Sequence, residues 1–411
     1  MMKITGPYQS DTTSVSRLTV RVESSALGEK DLWFELPAKF RDYFCSERVD
    51  GFLIGLLFSA MQHGEDIHVA GSVSETLLFN LNNYAVPLLK SFAPSSRLIR
   101  ISADNTTNST ISGTGVGTGF SGGVDSFCTI YDRFELESSP GYRVNSLLFL
   151  NVGSHGPWSE TGNTSNALKN FQERYRQLKK FPEEVGLDYI PLNSNLHAFH
   201  PWGHQKTHTL TSAAGIMVLQ NHFSKYYYSS TGVDYSRVFS FADAYKDRDI
   251  GAYCETTLLP LLSTESIRLI ADGYQYTRAQ KTIHIAEYEP VRRYLNVCTS
   301  PLEGWRNCSQ CPKCCRTQMT LDSIGKLNEF AGVFDIARYR KIDGQYKRRQ
   351  VCRTGYDPYA DENVRIAREH DIALPGYFES QFLCAAEDLS RKWGRKILPS
   401  SAIAYLKSRR A

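Results

Sequence analysis

The sequence predicts an α/β protein organised on a doubly wound parallel sheet. Three observations carry that expectation. Between about 115 and 235, short strand-like runs alternate with segments of helical periodicity, the rhythm of βαβ units. The run Val144-Asn-Ser-Leu-Leu-Phe-Leu150 is almost wholly apolar, as in a strand covered on both faces. A stretch of small residues from Thr114 ends in Phe120-Ser-Gly-Gly-Val-Asp-Ser126, after which Val124, Phe127, Cys128, Tyr131 and Phe134 fall at helical spacing. That pattern reads as strand, tight turn, helix.

In chain order, Arg17–Glu23 alternates like a half-buried strand and Leu32–Leu36 forms a second. Val49–Met61 has helical periodicity, Asp66–Ala70 is a short strand, and Val73–Phe92 is a helix with a kink expected at Pro87. Arg97–Ser102 is a further strand, and Asp104–Thr110 is polar enough for a linker. Residues 1–110 are therefore expected to form an α+β accessory domain, with an extension of the same sheet as the rival arrangement. After the loop helix come strands at Val144–Leu150, Asp188–Leu192, Lys225–Thr231 and Ser266–Ile270. Helices are expected at Ser165–Lys180, Thr207–His222, Cys254–Leu262 and Thr277–Tyr288. This second domain spans 111–325. Residues 326–411 read as a helical C-terminal region with basic patches at Arg338–Lys341 and Lys347–Arg349, which most often mark a solvated face.

A net charge of +4 over 411 residues is too small to imply a polyanionic partner by itself. The start of the chain has no signal-like apolar core and no apolar run reaches membrane-spanning length, so a cytoplasmic protein is expected. Five of the ten cysteines are bunched, as Cys298-x9-Cys308-x2-Cys311-x2-Cys314 with Cys315 adjacent. In a reducing compartment this spacing reads as a closed tetrathiolate Zn²⁺ site, a module over 298–316. Four thiolates would also serve an iron–sulfur cluster.

Phe120–Ser126 places two glycines and a helix start together. Unpaired helix N–H groups and a close backbone approach make an anion site, with phosphate the natural ligand. A Walker loop would need Gly-Lys-Ser/Thr, and no lysine follows. Gly117-x-Gly119-x-x-Gly122 formally matches a dinucleotide fingerprint, but the next strand ends in Asn151-Val-Gly rather than an acidic residue.

Ser121-Gly-Gly-Val-Asp-Ser126 resembles the PP-loop of the ATP pyrophosphatases, proteins of the adenine nucleotide alpha hydrolase (HUP-like) fold. Followed by the late cysteine run, it is similar to the 7-cyano-7-deazaguanine synthase (QueC) family over roughly 115–325. The longer layout resembles QueC-like proteins of bacterial antiphage operons. The resemblance implies a ligase that adenylates a 7-carboxy-7-deazaguanine-like substrate with ATP, releases pyrophosphate, and passes the acyl group to an amine. That amine would be ammonia, giving an amide or nitrile, or a group on a partner protein; tRNA is not expected as a partner. It implies that Phe120, Ser121, Gly122, Gly123, Val124 and Ser126 cradle pyrophosphate and that Asp125 serves Mg²⁺. Asn151, Gly153 and His155 would lie by the adenosine, and Arg278 and Lys281 would reach the phosphates. Two other readings stand beside it: a PP-loop enzyme of tRNA or nucleobase modification, which wants a reactive cysteine near the loop, where Cys128, at i+4 from Val124, reads instead as a buried small hydrophobe, and a nucleotide-binding scaffold without catalysis.

Overall fold

The computed structural model describes residues 1–156, 165–200, 202, 204–241, 250–299 and 302–386. The C-terminal stretch after Ala386, part of the region expected to be helical, lies outside them. The chain forms two compact units. One comprises Met1–Ser121 and Cys128–Gln275, the other Gly122–Phe127 and the chain from Tyr276 onward. These divisions differ from the boundaries expected near 110 and 325.

The first unit is organised on a ten-stranded sheet. Its strands are β1 (Met2–Asp11), β2 (Val15–Ser24), β3 (Gly28–Pro37), β4 (Ile67–Ser74), β5 (Ile101–Thr107), β6 (Gly115–Gly119), β7 (Ser146–Asn151), β8 (Asp188–Ser194), β9 (Phe223–Ser229) and β10 (Arg268–Asp272). The order is β10-β9-β6-β7-β8-β3-β2-β1-β4-β5. Neighbours from β10 to β8 run parallel, as do β1, β4 and β5. The β8–β3, β3–β2 and β2–β1 pairs are antiparallel. Winding starts at β6, proceeds outward to β7 and β8, then returns past β6 to β9 and β10. This reversal creates a switch point beside β6, where open α/β sheets bind ligands at strand carboxyl ends.

Residues 1–110 are part of this sheet rather than an independent domain. The helix Asp50–His63 explains why: its residues from Asp50 to Met61 are all buried, so its apolar surface needs cover all round. It packs closely on His204–Met217. A Cβ on Gly51 would lie 2.6 Å from Val218 Cγ1 and 2.7 Å from the Ala214 carbonyl oxygen. Gly51→Ala should therefore cost about 1–3 kcal/mol by overpacking, read as a lower midpoint in denaturant with an unchanged slope. The same core runs from Met2 and Phe52 to Leu196, Ala214 and Leu269.

The first part of the expected linker, 104–107, is also strand. Asn105, Thr106 and Thr107 pair with Ser72, Val73 and Ser74 as part of edge strand β5. An edge strand exposes polar side chains, so its sequence resembles a turn. The kink expected at Pro87 is a widened turn at Leu81–Ala85 within a helical stretch from Glu75 to Phe92.

Burial also sets a pH response. His200 is fully buried with Nε2 2.6 Å from the Gly55 carbonyl oxygen, and burial pushes its pKa down to about 4. His155 is pushed down to about 3, again chiefly by burial. A neutral buried histidine contributes stability that is complete above its unfolded pKa near 6.5 and is lost as pH falls toward the folded value. Asp50, raised to about 6 by burial, has the opposite sign: its contribution is present below 3.8 and lost as pH rises through 6. Between pH 6 and 4 the aspartate partly offsets the histidines. Thermal midpoints should fall on acidification, and Asp50→Asn should make the fall steeper.

The second unit carries helices Arg278–Ile285, Pro312–Ser323, Asp343–Cys352 and Pro358–Glu369. A buried polar ladder joins the last three: Thr320 Oγ1 donates to Asn363 Oδ1 at 3.3 Å, and Asn363 Nδ2 donates to Gln350 Oε1 at 3.3 Å. The carboxylate of Glu362 accepts from the Ala279 N–H at 2.9 Å, tying the first helix to the last. Residues on both sides of 325 thus belong to one packed body.

Candidate active site and metal centre

Gly122 makes the turn at the loop. Its φ of +74° lies in the left-handed region, which a side chain would disfavour. Its carbonyl accepts the Asn296 N–H at 2.7 Å. The helix Val124–Ile130 then opens: the Gly123 carbonyl accepts the Phe127 N–H and the Ser126 hydroxyl, each at 3.0 Å.

Asp125 faces two cations. Its Oδ2 lies 2.7 Å from Arg278 Nη2 and its Oδ1 lies 3.2 Å from Lys281 Nζ. Arg278 and Lys281 are three residues apart, one turn along the same helix face. Thr277 caps that helix, accepting from the Gln280 N–H while the Gln280 side chain accepts from the Thr277 N–H. The Lys281 side chain is 1% exposed, so its charge requires a counterion. Two cationic side chains thus converge on the carboxylate at the glycine turn. Sequence proximity could not show this: Asp125 and Lys281 are 156 residues apart.

Of the remaining expected ligands, Phe120, Ser121, Asn151, Gly153 and His155 lie in the first unit and Val124 in the second. Phe120 is buried, its ring 5.0 Å from that of Phe181 and its carbonyl accepting from the Tyr189 hydroxyl at 2.8 Å. Ser121 is exposed, and its carbonyl accepts from Arg174 at 3.1 Å. Val124 is a core side chain. Asn151 is buried and donates to Asn193 Oδ1 at 2.7 Å, a bridge between β7 and β8. Gly153, at φ +118°, permits a close approach, since a Cβ there would meet His197 Nδ1 at 2.7 Å. The His155 ring packs against Phe149 and Phe171 at 5.0 and 5.4 Å. Cys128, the thiol nearest the loop in sequence, is fully buried in the core.

The cysteine run converges. Sγ atoms of Cys298, Cys308, Cys311 and Cys314 all lie within 4.8 Å of one another. Cys298 to Cys311 is 3.8 Å and Cys308 to Cys314 is 4.0 Å. A tetrahedral ion with Zn–S bonds of about 2.3 Å requires sulfurs about 3.8 Å apart, whereas a disulfide needs about 2.05 Å. The donor set and its spacing therefore fit zinc. N–H groups of Cys308, Cys311 and Cys314 donate to the sulfurs of Cys298, Cys308 and Cys311 at 3.4, 3.2 and 3.5 Å. These bonds favour thiolates. Contact among the sulfurs splits their acidities: Cys311 beside Cys298 is driven well below an ordinary thiol, while Cys298 beside Cys311 rises to about 11.

Cys315 stands apart from the four, with Sγ 3.3 Å from the Gln310 carbonyl and its pKa pushed up to about 12 by burial. Residues that the cysteine spacing did not reveal shape the knuckle. Ser309 adopts φ +62° between the first two knuckle residues, and its hydroxyl accepts the Asp335 N–H at 2.8 Å. Asn307 Oδ1 accepts the Val297 N–H and Nδ2 donates to the Leu295 carbonyl, both at 2.9 Å. The strap 295–298 thus runs from the loop contact at Asn296 to the ligand Cys298. Asparagine, able to serve backbone donor and acceptor together, is the one local signal that could have marked Asn307.

Together these features define an α/β protein with a mostly parallel sheet and a cluster of four cysteines that fits zinc. Comparison with known proteins returns no significant match to a protein-family model, a curated protein or a solved structure. Among the described residues, no helix is long and apolar enough to cross a membrane.

Proposed function

We propose that the chain is an ATP-dependent carboxylate-activating ligase of the QueC type. The observation that carries this reading is Asp125 at the glycine turn, held between Arg278 and Lys281. A substrate carboxylate attacks the α-phosphorus of ATP, the bond to the bridging oxygen of pyrophosphate breaks, and an acyl-adenylate forms. An amine then attacks the acyl carbon; an amide forms, AMP leaves and the amine gives up a proton. Negative charge grows on the departing pyrophosphate, where Lys281, Arg278 and the turn amides can stabilise it. Mg²⁺, when bound, would neutralise phosphate charge, and Asp125 is the residue to hold it. Phosphates drawing Arg278 and Lys281 away would release that carboxylate for the cation.

A 7-carboxy-7-deazaguanine-like acid is the proposed substrate, supported by the pairing of the loop motif with the cysteine run. Pyrophosphate exchange into ATP should require this acid, and equal exchange without it would remove the assignment. The acceptor is ammonia or an amine on a partner protein; mass spectrometry distinguishes a small amide or nitrile from a modified protein. Full burial of Cys128 argues against a thiol-transfer reading.

A further inference from the structure

The first unit contains a cavity of about 380 Å³ that shares no residue with the loop, its two cations or the four cysteine ligands. One wall is a face of the sheet. Asn193 on β8 stands directly across from Glu35 on β3, and Val15 on β2 directly across from Pro37. Pro37 follows Glu35 by two residues and Pro191 precedes Asn193 by two, so these side chains share one face. The other wall is the helix Ser165–Leu178, which contributes Leu168, Phe171, Tyr175 and Arg176, a stripe at three/four spacing.

Mostly apolar walls with a few fixed polar groups are what a small-molecule site is made of. The rings are held in place: Phe171 stacks on Phe149 at 5.1 Å and Tyr175 on Tyr189 at 4.9 Å. With two prolines on the facing wall, they suit a planar ligand. The polar groups are partly committed, and what remains of each defines the ligand. Glu35 Oε2 takes both hydrogen bonds from Arg17, at 3.1 and 2.7 Å, which leaves Oε1 as an acceptor. Asn193 Oδ1 accepts from Asn151 at 2.7 Å, which leaves its NH₂ group as a donor. Arg176 Nε donates to the Gln172 carbonyl at 3.3 Å, and its two terminal nitrogens make no hydrogen bond or ion pair among the described residues. A guanidinium stays charged and takes a carboxylate in a two-pronged fork. The helix wall thus offers a cation and the sheet wall an acceptor. A purely apolar ligand would strand both, and a polyanion would meet the Glu35 carboxylate.

We propose that this cavity binds a planar, fused-ring aromatic acid that carries a ring N–H. The ring lies between Phe171 and Tyr175 on one side and Pro37 and Pro191 on the other. The carboxylate pairs with Arg176, the N–H donates to Glu35 Oε1, and the Asn193 amide donates to a remaining acceptor of the ligand. The site is complete within the first unit and does not depend on the ligase reading.

The test titrates the full-length protein with indole-3-carboxylate and follows the methyl resonances of Val15 and Leu168, which an aromatic ring in the cavity displaces. Saturable shifts are expected. Indole lacks the acid and benzofuran-3-carboxylate lacks the N–H; each should bind at least about fivefold more weakly. Arg176→Gln should weaken binding of indole-3-carboxylate about tenfold, the scale of one charge-assisted hydrogen bond, and leave that of indole unchanged. Leu168→Trp, which fills the cavity, should abolish the Val15 shift. Absence of a saturable shift at tens of millimolar indole-3-carboxylate overturns the proposal. So does equal affinity for the acid and for indole, or an acid affinity that Arg176→Gln does not alter. Equal binding of benzofuran-3-carboxylate would take Glu35 out of the site, and overturns it as well.

Discussion

Stripping the metal is expected to collapse the knuckle and the strap that leads to the glycine turn. Four sulfurs at 3.8–4.0 Å contacts and within 4.8 Å overall make a poor arrangement without a cation, because thiolates repel and neutral thiols lose the backbone bonds that favour charge. Structural zinc contributes on the order of 10–16 kcal/mol to folding in small isolated modules. Here part of that is replaced by packing of the Pro312–Ser323 helix, whose Cys314, Met319 and Leu321 are buried. Elemental analysis should give one zinc per chain, and a strong chelator should lower the thermal midpoint by more than 10 °C. Cys311→Ser should do the same without chelator. New protease cuts should appear between 295 and 316, and pyrophosphate exchange should disappear with them, since Asn296 holds Gly122 two residues before Cys298. Iron in place of zinc, or an unshifted midpoint, would refute the zinc assignment.

Asp125→Asn should reduce carboxylate-dependent pyrophosphate exchange at least a hundredfold, the scale on which one preorganised charge contributes to such a transition state. The variant also takes the Asp125 carboxylate from the buried Lys281, and breaking a buried ion pair by removing one partner should cost about 3–5 kcal/mol. Activity and stability can be separated. Lys281→Met in the Asp125→Asn background removes the charge that lost this carboxylate, so stability should recover while exchange stays lost. Recovery of exchange in that double variant would mean that the ion pair is structural and that Asp125 has no role in the reaction. An unaltered rate in Asp125→Asn alone would take the loop out of the mechanism.

Legibility of the fold followed local physics. The apolar run at 144–150 and the helical spacing after Val124 appear as β7 and the loop helix because both patterns record burial directly. Strand β1 was not legible, and β5 was partly mistaken for linker. The exposed half of β1 and the polar residues of β5 carry little apolar alternation, and their pairing depends on partners far along the chain. The site divides in the same way. Cys298, Cys308, Cys311 and Cys314 were legible because ligand type and spacing constrain one ion. Asn151 and His155 fall at the carboxyl side of β7, yet their side chains are engaged in a strand bridge and an aromatic cluster.

By itself, the sequence determined the doubly wound strand–helix rhythm, the glycine turn and the four sulfur ligands, each specified by neighbours within a few residues. Only the tertiary structure decided that residues 1–110 extend the sheet, because the buried helix Asp50–His63 must be covered by distant chain. It likewise decided that Arg278 and Lys281 meet Asp125. A charge finds its partner through space, and no spacing rule along the chain records an encounter between residues more than 150 positions apart.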